Sequence, residues 1–183
     1  MVHHYPTPML VLTTMRYITT IHSVDKEQLP NLIKTARVRI AARAVVLDGT
    51  FIALLHVARD GYHKLPGGGL EGSESIVHTL KRELLEETGC EISNIQELGQ
   101  VNEYRDKWDF YQESFCYIAT ANGAIVQPSF TEKELAAGFE VVWAESIDDA
   151  IALLQSDKPT AYEGDFIQRR DLVILKEAKK LLK

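Results

Sequence analysis

The sequence LPGGGLEGSESIVHTLKRELLEETGC, residues 65–90, divides into a glycine-rich loop and a helix. Consecutive glycines at positions 67–69 let the backbone bend sharply and approach a ligand closely. The apolar residues that follow recur at helical intervals, which predicts one buried stripe formed by Ile76, Val77, Leu80 and Leu84. We expect Ser73 to cap the start of this helix and Gly89 to end it.

The same helix carries three acidic residues on one face. Glu83, Glu86 and Glu87 stand at positions i, i+3 and i+4 and therefore share a single turn. Their charges repel one another and oppose the helix dipole near its C-terminal end, so a positive group should compensate them. Mg²⁺ fits because it binds oxygen ligands. The alternative is a solvated face neutralised by Lys81 and Arg82, which is the commoner outcome for an isolated helix.

The acidic residues belong to a longer pattern of fixed spacing. Gly68 is followed by five residues and Glu74, then by seven residues and the block RELLEETGC at 82–90. This pattern resembles the signature of the Nudix (MutT-type) hydrolase family at each fixed polar and glycine position. Cys90 stands where the family usually has an aliphatic residue, and a buried thiol behaves as a small hydrophobe. The match covers only residues 68–90, but it is highly specific because so many positions are fixed.

The resemblance implies a fold and an activity. The fold would be α/β, a Nudix-type α/β/α sandwich around a mixed β-sheet. The activity would be hydrolysis of the pyrophosphate bond in a nucleoside diphosphate linked to another moiety, with Mg²⁺ or Mn²⁺ as cofactor. When bound, such an ion neutralises phosphate oxygens and lowers the pKa of water. The implied partner is therefore a small nucleotide diphosphate derivative.

The resemblance also assigns roles to residues. Glu83, Glu86 and Glu87 would be metal ligands, and the backbone carbonyl of Gly67 could complete the coordination. Glu83 or a neighbour could also take the proton from water. Arg82 and Glu74 would pair and brace the loop against the helix. In some family members a glutamate from a later loop is the general base. Here that role would fall to Glu132 or Glu134, with Glu134 preferred; the alternative is that both are solvated loop acids.

Four other residues are candidate substrate contacts. Arg39 and Arg43 alternate onto one face of a predicted strand, where arginines can bind phosphate, although such residues are more often rim charges. Tyr62 borders the glycine-rich loop. Trp108 lies in the loop at 105–109 and could stack on a planar group, although a tryptophan in such a loop more often folds back onto its own hairpin.

The elements predicted along the chain alternate between strands and helices. A β-branched strand at 9–21 precedes a short helix at 25–35 and a hairpin whose strands, 37–47 and 51–57, are joined at Asp48-Gly49. The later elements are a polar loop at 59–64, strands at 91–104 and 110–121, a polar loop at 127–138, a strand at 139–144, a helix at 147–154 and an amphipathic helix at 164–183.

The length and composition of the chain limit the number of domains, the partners and the compartment that we expect. With 183 residues, we expect one domain, 1–183, comprising an N-terminal extension at 1–36, a core at 37–160 and a C-terminal helix at 161–183. The net charge of −6 argues against stable nucleic-acid binding. Two cysteines suit a reducing compartment, and the chain has no apolar run long enough for a membrane span. We therefore expect a cytoplasmic protein.

Substrate identity and assembly stay open at this point. A nucleoside triphosphate is the favoured substrate. The alternatives are ADP-ribose or another nucleotide sugar, a non-catalytic nucleotide-sensing module, and an isomerase acting on a prenyl diphosphate. The intact acidic residues argue against a sensing module. The predicted N-terminal strand and C-terminal helix each offer an apolar surface that a second copy could cover, and a two-fold homodimer is the commonest arrangement.

Overall fold

A computed structural model describes residues 15–182, and in this range seven strands form one mixed sheet. They are β1 (Tyr17–Ile21), β2 (Arg37–Asp48), β3 (Phe51–Val57), β4 (Tyr62–Lys64), β5 (Glu91–Arg105), β6 (Phe110–Asn122) and β7 (Phe139–Ala144). The strand order is β1-β5-β6-β2-β3-β4, and β7 pairs with β3. The β1/β5 and β2/β6 pairs are parallel and the others are antiparallel, which confirms the predicted mixed sheet.

Helices cover both faces of this sheet. They are α1 (Leu29–Thr35), α2 (Ile76–Thr88), α3 (Glu132–Ala136), α4 (Ile147–Ser156) and α5 (Tyr162–Leu181). Alternate residues of β2 point to opposite faces. Ala44 and Val46 pack with α2, whereas Val45 packs with residues of α4 and α5, including Leu154 and Ile174. The predicted α/β/α sandwich is therefore confirmed.

The hairpin and several later elements follow the predictions. Leu47 pairs with Ile52 and Asp48 with Phe51, so the turn at Asp48-Gly49 is confirmed. The predicted strands at 91–104 and 110–121, and the C-terminal helix, are also present. The strand predicted at 9–21 is present as β1, and its residues 9–14 lie outside the described residues. None of the helices in residues 15–182 is long and apolar enough to cross a membrane.

Two segments predicted to be polar loops contain regular structure. The loop predicted at 59–64 ends in β4, which pairs antiparallel with Leu55–Val57. The loop predicted at 127–138 contains α3. This helix begins with a capping box, in which Thr131 accepts from the backbone of Glu134 while the Glu134 side chain accepts from the backbone of Thr131. Both predictions were wrong because such short elements lack a hydrophobic period that sequence can show.

Two details of α2 also differ from the predictions. The N-cap is Ser75 rather than Ser73, and its hydroxyl accepts from the backbone N–H of His78 at 3.2 Å. Val77 is not part of the buried stripe and is 40% exposed, because it lies about 100° around the helix from Ile76. The C-terminal prediction is confirmed, since Gly89 ends the helix with a φ of 71°.

Candidate active site

The glycine-rich loop runs along the edge of β2. The backbone N–H of Ala42 donates to the carbonyl of Gly68 at 2.9 Å, and that of Leu70 donates to Ile40 at 3.1 Å. Gly67 has a φ of +127°, and a Cβ there would lie 2.2 Å from the carbonyl oxygen of Ala42. The close approach therefore requires glycine. It places the loop beside the acidic face of α2.

Loop, helix and sheet together enclose a cavity of about 530 Å³. The predicted metal ligands Gly67, Glu83, Glu86 and Glu87 all line this cavity. So does Glu134, the preferred general base, which reaches it from α3. Residues separated by 67 positions in the sequence thus share one concave surface.

Glu87 ties the loop to the helix. Its side chain is buried, and its Oε2 accepts from the backbone N–H of Gly67 at 2.6 Å. Its Oε1 accepts from the ammonium of Lys64 at 2.9 Å. A carboxylate held by a cation and a backbone donor is fixed in orientation, so Glu87 presents a defined oxygen surface to the cavity.

Arg82 connects the other acidic residues. Its Nε donates to Glu74 at 2.9 Å, and its Nη1 donates to Glu83 at 3.0 Å and to Glu86 at 3.1 Å. Its Nη2 donates to the carbonyl of Gly69 at 3.2 Å, which joins the helix to the loop. Hydrogen bonding to Glu74 raises the pKa of Arg82, so the guanidinium stays charged.

Glu83 lies in the most crowded part of the network. Burial, followed by the charge of Glu87, raises the pKa of the Glu83 carboxyl group. Its carboxylate packs directly on the backbone of Gly68, where a Cβ would lie 2.3 Å from it. The carboxylates of Glu83 and Glu87 therefore repel each other in a partly desolvated position, and a cation placed between them would relieve this repulsion.

The donor set fits a hard divalent cation. Among the described residues, Glu74, Glu83, Glu86 and Glu87 form ion pairs with Arg82 and Lys64, so these six side chains carry a surplus of two negative charges. Its free donors are oxygens, which Mg²⁺ prefers. Within residues 15–182 no three acidic, histidine or cysteine side chains are grouped closely enough to hold a metal ion, and the carboxylates of this network pair with Arg82 and Lys64. For a metal ion to bind these carboxylates, the side chains of Arg82 and Lys64 would have to move away from them.

The structure separates the four candidate substrate contacts. Arg39, Arg43 and Tyr62 line the cavity, and burial raises the pKa of the Tyr62 hydroxyl to about 12. Trp108 does not line it. This residue borders a neighbouring cavity of about 300 Å³. Its ring packs edge-on against Tyr162 of α5, with 5.2 Å between the ring centroids. It also faces the guanidinium of Arg105 in its own hairpin, which lies 5.7 Å from the centroid of the ring.

A family model described as the NUDIX domain matches residues 37–163. The chain belongs to the Nudix family. Its enzymatic class follows from this membership, because Nudix hydrolases are pyrophosphohydrolases that act on acid anhydrides. Members of the family generally need divalent metal ions and act on small nucleotide substrates.

Solved structures share the Nudix fold. A NUDIX hydrolase from Nitrosomonas europaea superposes with a TM-score of 0.59 at 18% identity, covering 79% of this chain and 90% of that chain. A MutT protein from Bacillus halodurans gives a TM-score of 0.53 at 26% identity, covering 73% and 82%. A protein described as UDP-X diphosphatase gives 0.52 at 16% identity, covering 87% and 73%. No curated protein sequence matches the chain.

Several residues of the Nudix cavity were not anticipated from the sequence. They are Lys64, Arg105 and Arg170, which line the cavity, and Glu103, which pairs with the two arginines. For two of them, Arg170 and Glu103, the sequence contains a recognisable sign of a special role. Arg170 interrupts the apolar stripe of α5 one turn after Phe166, and Glu103 follows Val101 on the inward face of β5. A charged residue at a core position is informative because an unpaired buried charge is costly.

The lowered pKa of Glu74 predicts that the stability of the protein depends on pH. Hydrogen bonds from Arg82, and next from Thr79, lower the pKa of Glu74 from its usual 4.5 to about 2. A carboxyl whose pKa is depressed on folding stabilises the protein above its unfolded value and loses this contribution as pH falls. Wild type should therefore be more stable than Glu74→Gln at pH 7, and the difference should shrink between pH 4.5 and 2.

Urea unfolding of both proteins in metal-free buffer measures this difference. Thr79→Val removes one hydrogen-bond donor to Glu74, so the pH dependence of its stability should lie between those of wild type and Glu74→Gln. A stability difference that stays constant from pH 7 to the acid limit would show that the ionised form of Glu74 does not brace the loop.

Proposed function

We propose that this Nudix protein is a Mg²⁺-dependent hydrolase that cleaves the pyrophosphate bond of a nucleoside diphosphate linked to another moiety, with a nucleoside triphosphate as favoured substrate. One observation supports this above the others. The same cavity has a wall with surplus negative charge on α2 and a wall of arginines on the sheet. The first suits a divalent cation and the second suits phosphate oxygens.

The residues of the chain would divide the work. Glu83, Glu86, Glu87 and the carbonyl of Gly67 would hold Mg²⁺, which when bound neutralises phosphate charge and lowers the pKa of water. The bond from the Gly67 N–H to Glu87 holds the loop in place. Arg82 donates to two of these proposed ligands, Glu83 and Glu86, and to Glu74, and so would keep the two ligands together before the ion binds.

Glu134 is the proposed general base. Both its contacts with Thr131, from the backbone N–H and from the hydroxyl, go to Oε2 at 2.8 Å. Its Oε1 accepts no hydrogen bond from the described residues, and the side chain lines the cavity. An anchored carboxylate with one uncommitted oxygen can take a proton from an attacking water.

Glu134→Gln should lower kcat by about 100-fold, at the lower end of general-base contributions. Glutamine still completes a capping box, so α3 should persist. Glu132→Gln is the matched control, since this exposed neighbour should keep kcat within about twofold of wild type. Steady-state rates across pH, with thermal unfolding of each variant, separate catalysis from helix capping. Equal rates for the two variants would remove Glu134 from the chemistry.

Hydrolysis over a substrate panel, followed by chromatography of the nucleotide and sugar phosphate products, tests the proposal as a whole. The panel contains nucleoside triphosphates, ADP-ribose and nucleotide sugars, each assayed with Mg²⁺ and with a chelator. We expect turnover that requires the metal and is fastest with a nucleoside triphosphate. Fastest turnover of a nucleotide sugar would reassign the substrate. Binding without turnover across the panel would contradict hydrolysis of these substrates.

A further inference from the structure

The sheet side of the cavity carries four arginines from three elements. We call Arg39, Arg43, Arg105 and Arg170 the arginine cluster; they come from β2, β5 and α5, and all line the cavity. Arg43, Arg105 and Arg170 are at least nine-tenths buried, with exposures of 5%, 8% and 0%. Arginine is rarely buried to this extent unless its charge is paired with an anionic group.

Two carboxylates partly neutralise the cluster. Glu103 accepts from Arg105 through Oε1 and from Arg170 through Oε2, the latter at 3.2 Å. Asp171 accepts from Nε of Arg170 at 2.7 Å and from the backbone N–H of Leu65 at 2.8 Å. The four guanidinium groups and these two carboxylates together carry a surplus of two positive charges, and Arg39 also lies near the carboxylate of Glu83.

The other two arginines have neutral partners. Arg43 donates to the carbonyl of Gly67 at 2.8 Å, and Arg39 donates to Gln112 at 3.1 Å. Burial, and next the nearby charge of Arg170, lowers the pKa of Arg43 to about 10. An anion bound beside these residues would offset both the burial and the mutual repulsion.

The cluster also has unused donors. Nε of Arg43, Nε of Arg105 and Nη2 of Arg170 are buried and have no hydrogen-bond partner among the residues that the structure describes. A buried N–H without an acceptor is unfavourable by about 1–3 kcal/mol, and more when the group is charged. Phosphoryl groups supply several acceptor oxygens and match the geometry of guanidinium. The unused donors therefore point to an anionic ligand.

The extent of the cluster indicates how long that anion is. Arg39 of β2 faces Gln112 of β6, Gln112 faces Glu103 of β5, and Arg105 lies two residues beyond Glu103 on β5, so the backbones that carry the cluster span three adjacent strands. Two strand spacings are about 10 Å. A single diphosphate, whose phosphorus atoms share one bridging oxygen, is shorter than the distance between the backbones that carry Arg39 and Arg105. Arg39 and Arg105 also line the neighbouring cavity, which gives the ligand room to continue.

We propose that the arginine cluster is a subsite for a chain of three or more phosphoryl groups, so that the enzyme selects polyphosphate nucleotides over nucleotide sugars. The inference rests on the proposed function and names the substrate class of the same site. Arg39 and Arg43, beside the glycine-rich loop, bind the phosphoryl groups nearest the scissile bond. Arg105, positioned by Glu103, binds the group farther along the chain.

Two inorganic probes that resist hydrolysis test this span. Imidodiphosphate and diimidotriphosphate are titrated into the Mg²⁺-loaded full chain by calorimetry. We expect the triphosphate probe to bind at least about tenfold more tightly. Arg105→Gln should abolish most of this advantage while changing diphosphate binding less than about threefold, whereas Arg39→Gln should weaken both probes. Arg16→Gln, an equal charge change at a surface arginine that is 62% exposed, should leave both affinities unchanged.

Arg105→Gln leaves the buried carboxylate of Glu103 with one partner, so the fold of this variant is checked by thermal unfolding. The double variant Arg105→Gln/Glu103→Gln removes the unmatched charge and should also lose the triphosphate advantage. Equal affinity of wild type for the two probes would overturn the subsite, as would an advantage that survives in both variants.

The hydrolysis panel separates this inference from the proposed function. If Mg²⁺-dependent turnover exists but nucleotide sugars are cleaved as well as triphosphates, the subsite fails and the hydrolase stands. If the probes behave as expected and nothing is turned over, the hydrolase proposal fails by itself. Comparing nucleoside triphosphates with dinucleoside polyphosphates identifies which source of the polyphosphate chain the cavity accepts.

Discussion

Glu86→Gln is expected to lower kcat/KM with Mg²⁺ by about 1,000-fold, or about 4 kcal/mol of transition-state stabilisation. The side chain is 45% exposed, and Arg82 is its one hydrogen-bond and ion-pair partner among the described residues. The substitution therefore removes one of the two surplus negative charges without emptying a packed position. Metal affinity should fall together with activity, while the free energy of unfolding should change by less than about 0.5 kcal/mol.

The control for this variant is Glu91→Gln. Glu91 is an exposed glutamate just beyond the C-terminal end of α2, and the same loss of charge there should leave activity within about twofold of wild type. Mn²⁺ titration and steady-state kinetics on the three proteins provide the comparison. If Glu86→Gln kept wild-type metal affinity and more than about a tenth of the activity, Glu86 would not be a ligand of the required ion.

Two adjacent glycine substitutions should have different effects. In Gly68→Ala, the new Cβ would lie 2.3 Å from the carboxylate of Glu83, which is the movable end of a side chain. We expect the carboxylate to be displaced, activity to fall by about 100-fold, or about 2.7 kcal/mol, and stability to fall by about 1–2 kcal/mol. In Gly67→Ala, the new Cβ would lie 2.2 Å from the backbone of Ala42, and alanine would be strained at a φ of +127°. We therefore expect the free energy of unfolding to fall by about 3 kcal/mol or more.

Gly72→Ala is the matched control within the same loop. Gly72 also has a positive φ, of 52°, but its Cβ would meet nothing within 4 Å. Only the backbone strain remains, which should lower stability by about 1 kcal/mol and leave activity nearly unchanged. Urea unfolding and kinetics on all three variants measure the contrast. Similar losses of stability for Gly67→Ala and Gly72→Ala would mean that the loop moves easily away from β2.

The sequence predicted the fold and the acidic wall because both depend on local patterns. The Asp48-Gly49 turn, the helical period of α2 and the stop at Gly89 are encoded within a few residues of where they act. Glu83, Glu86 and Glu87 share one helical turn whatever the tertiary structure, so helix geometry alone places them together. The site roles assigned to these residues stay predictions until metal binding is measured.

The arginine wall could not be derived in this way. Arg43, Arg105 and Arg170 meet because β2, β5 and α5 pack together, and no local spacing records that packing. Short elements such as β4 and α3 were missed for a related reason: a strand of three residues and a helix of five contain less than two periods of any pattern. The T-x-x-E sequence at 131–134 was the one local signal available for α3.

Anomalous diffraction from Mn²⁺ in crystals grown with a non-hydrolysable nucleoside triphosphate analogue tests the central claim most directly. The predicted result is a metal peak bonded to the carboxylates of Glu83, Glu86 and Glu87 and to the carbonyl of Gly67, with Arg82 moved off Glu83 and Glu86 and Lys64 moved off Glu87. Carboxylates that remain paired with Arg82 and Lys64, with no metal peak between loop and helix, would contradict the account.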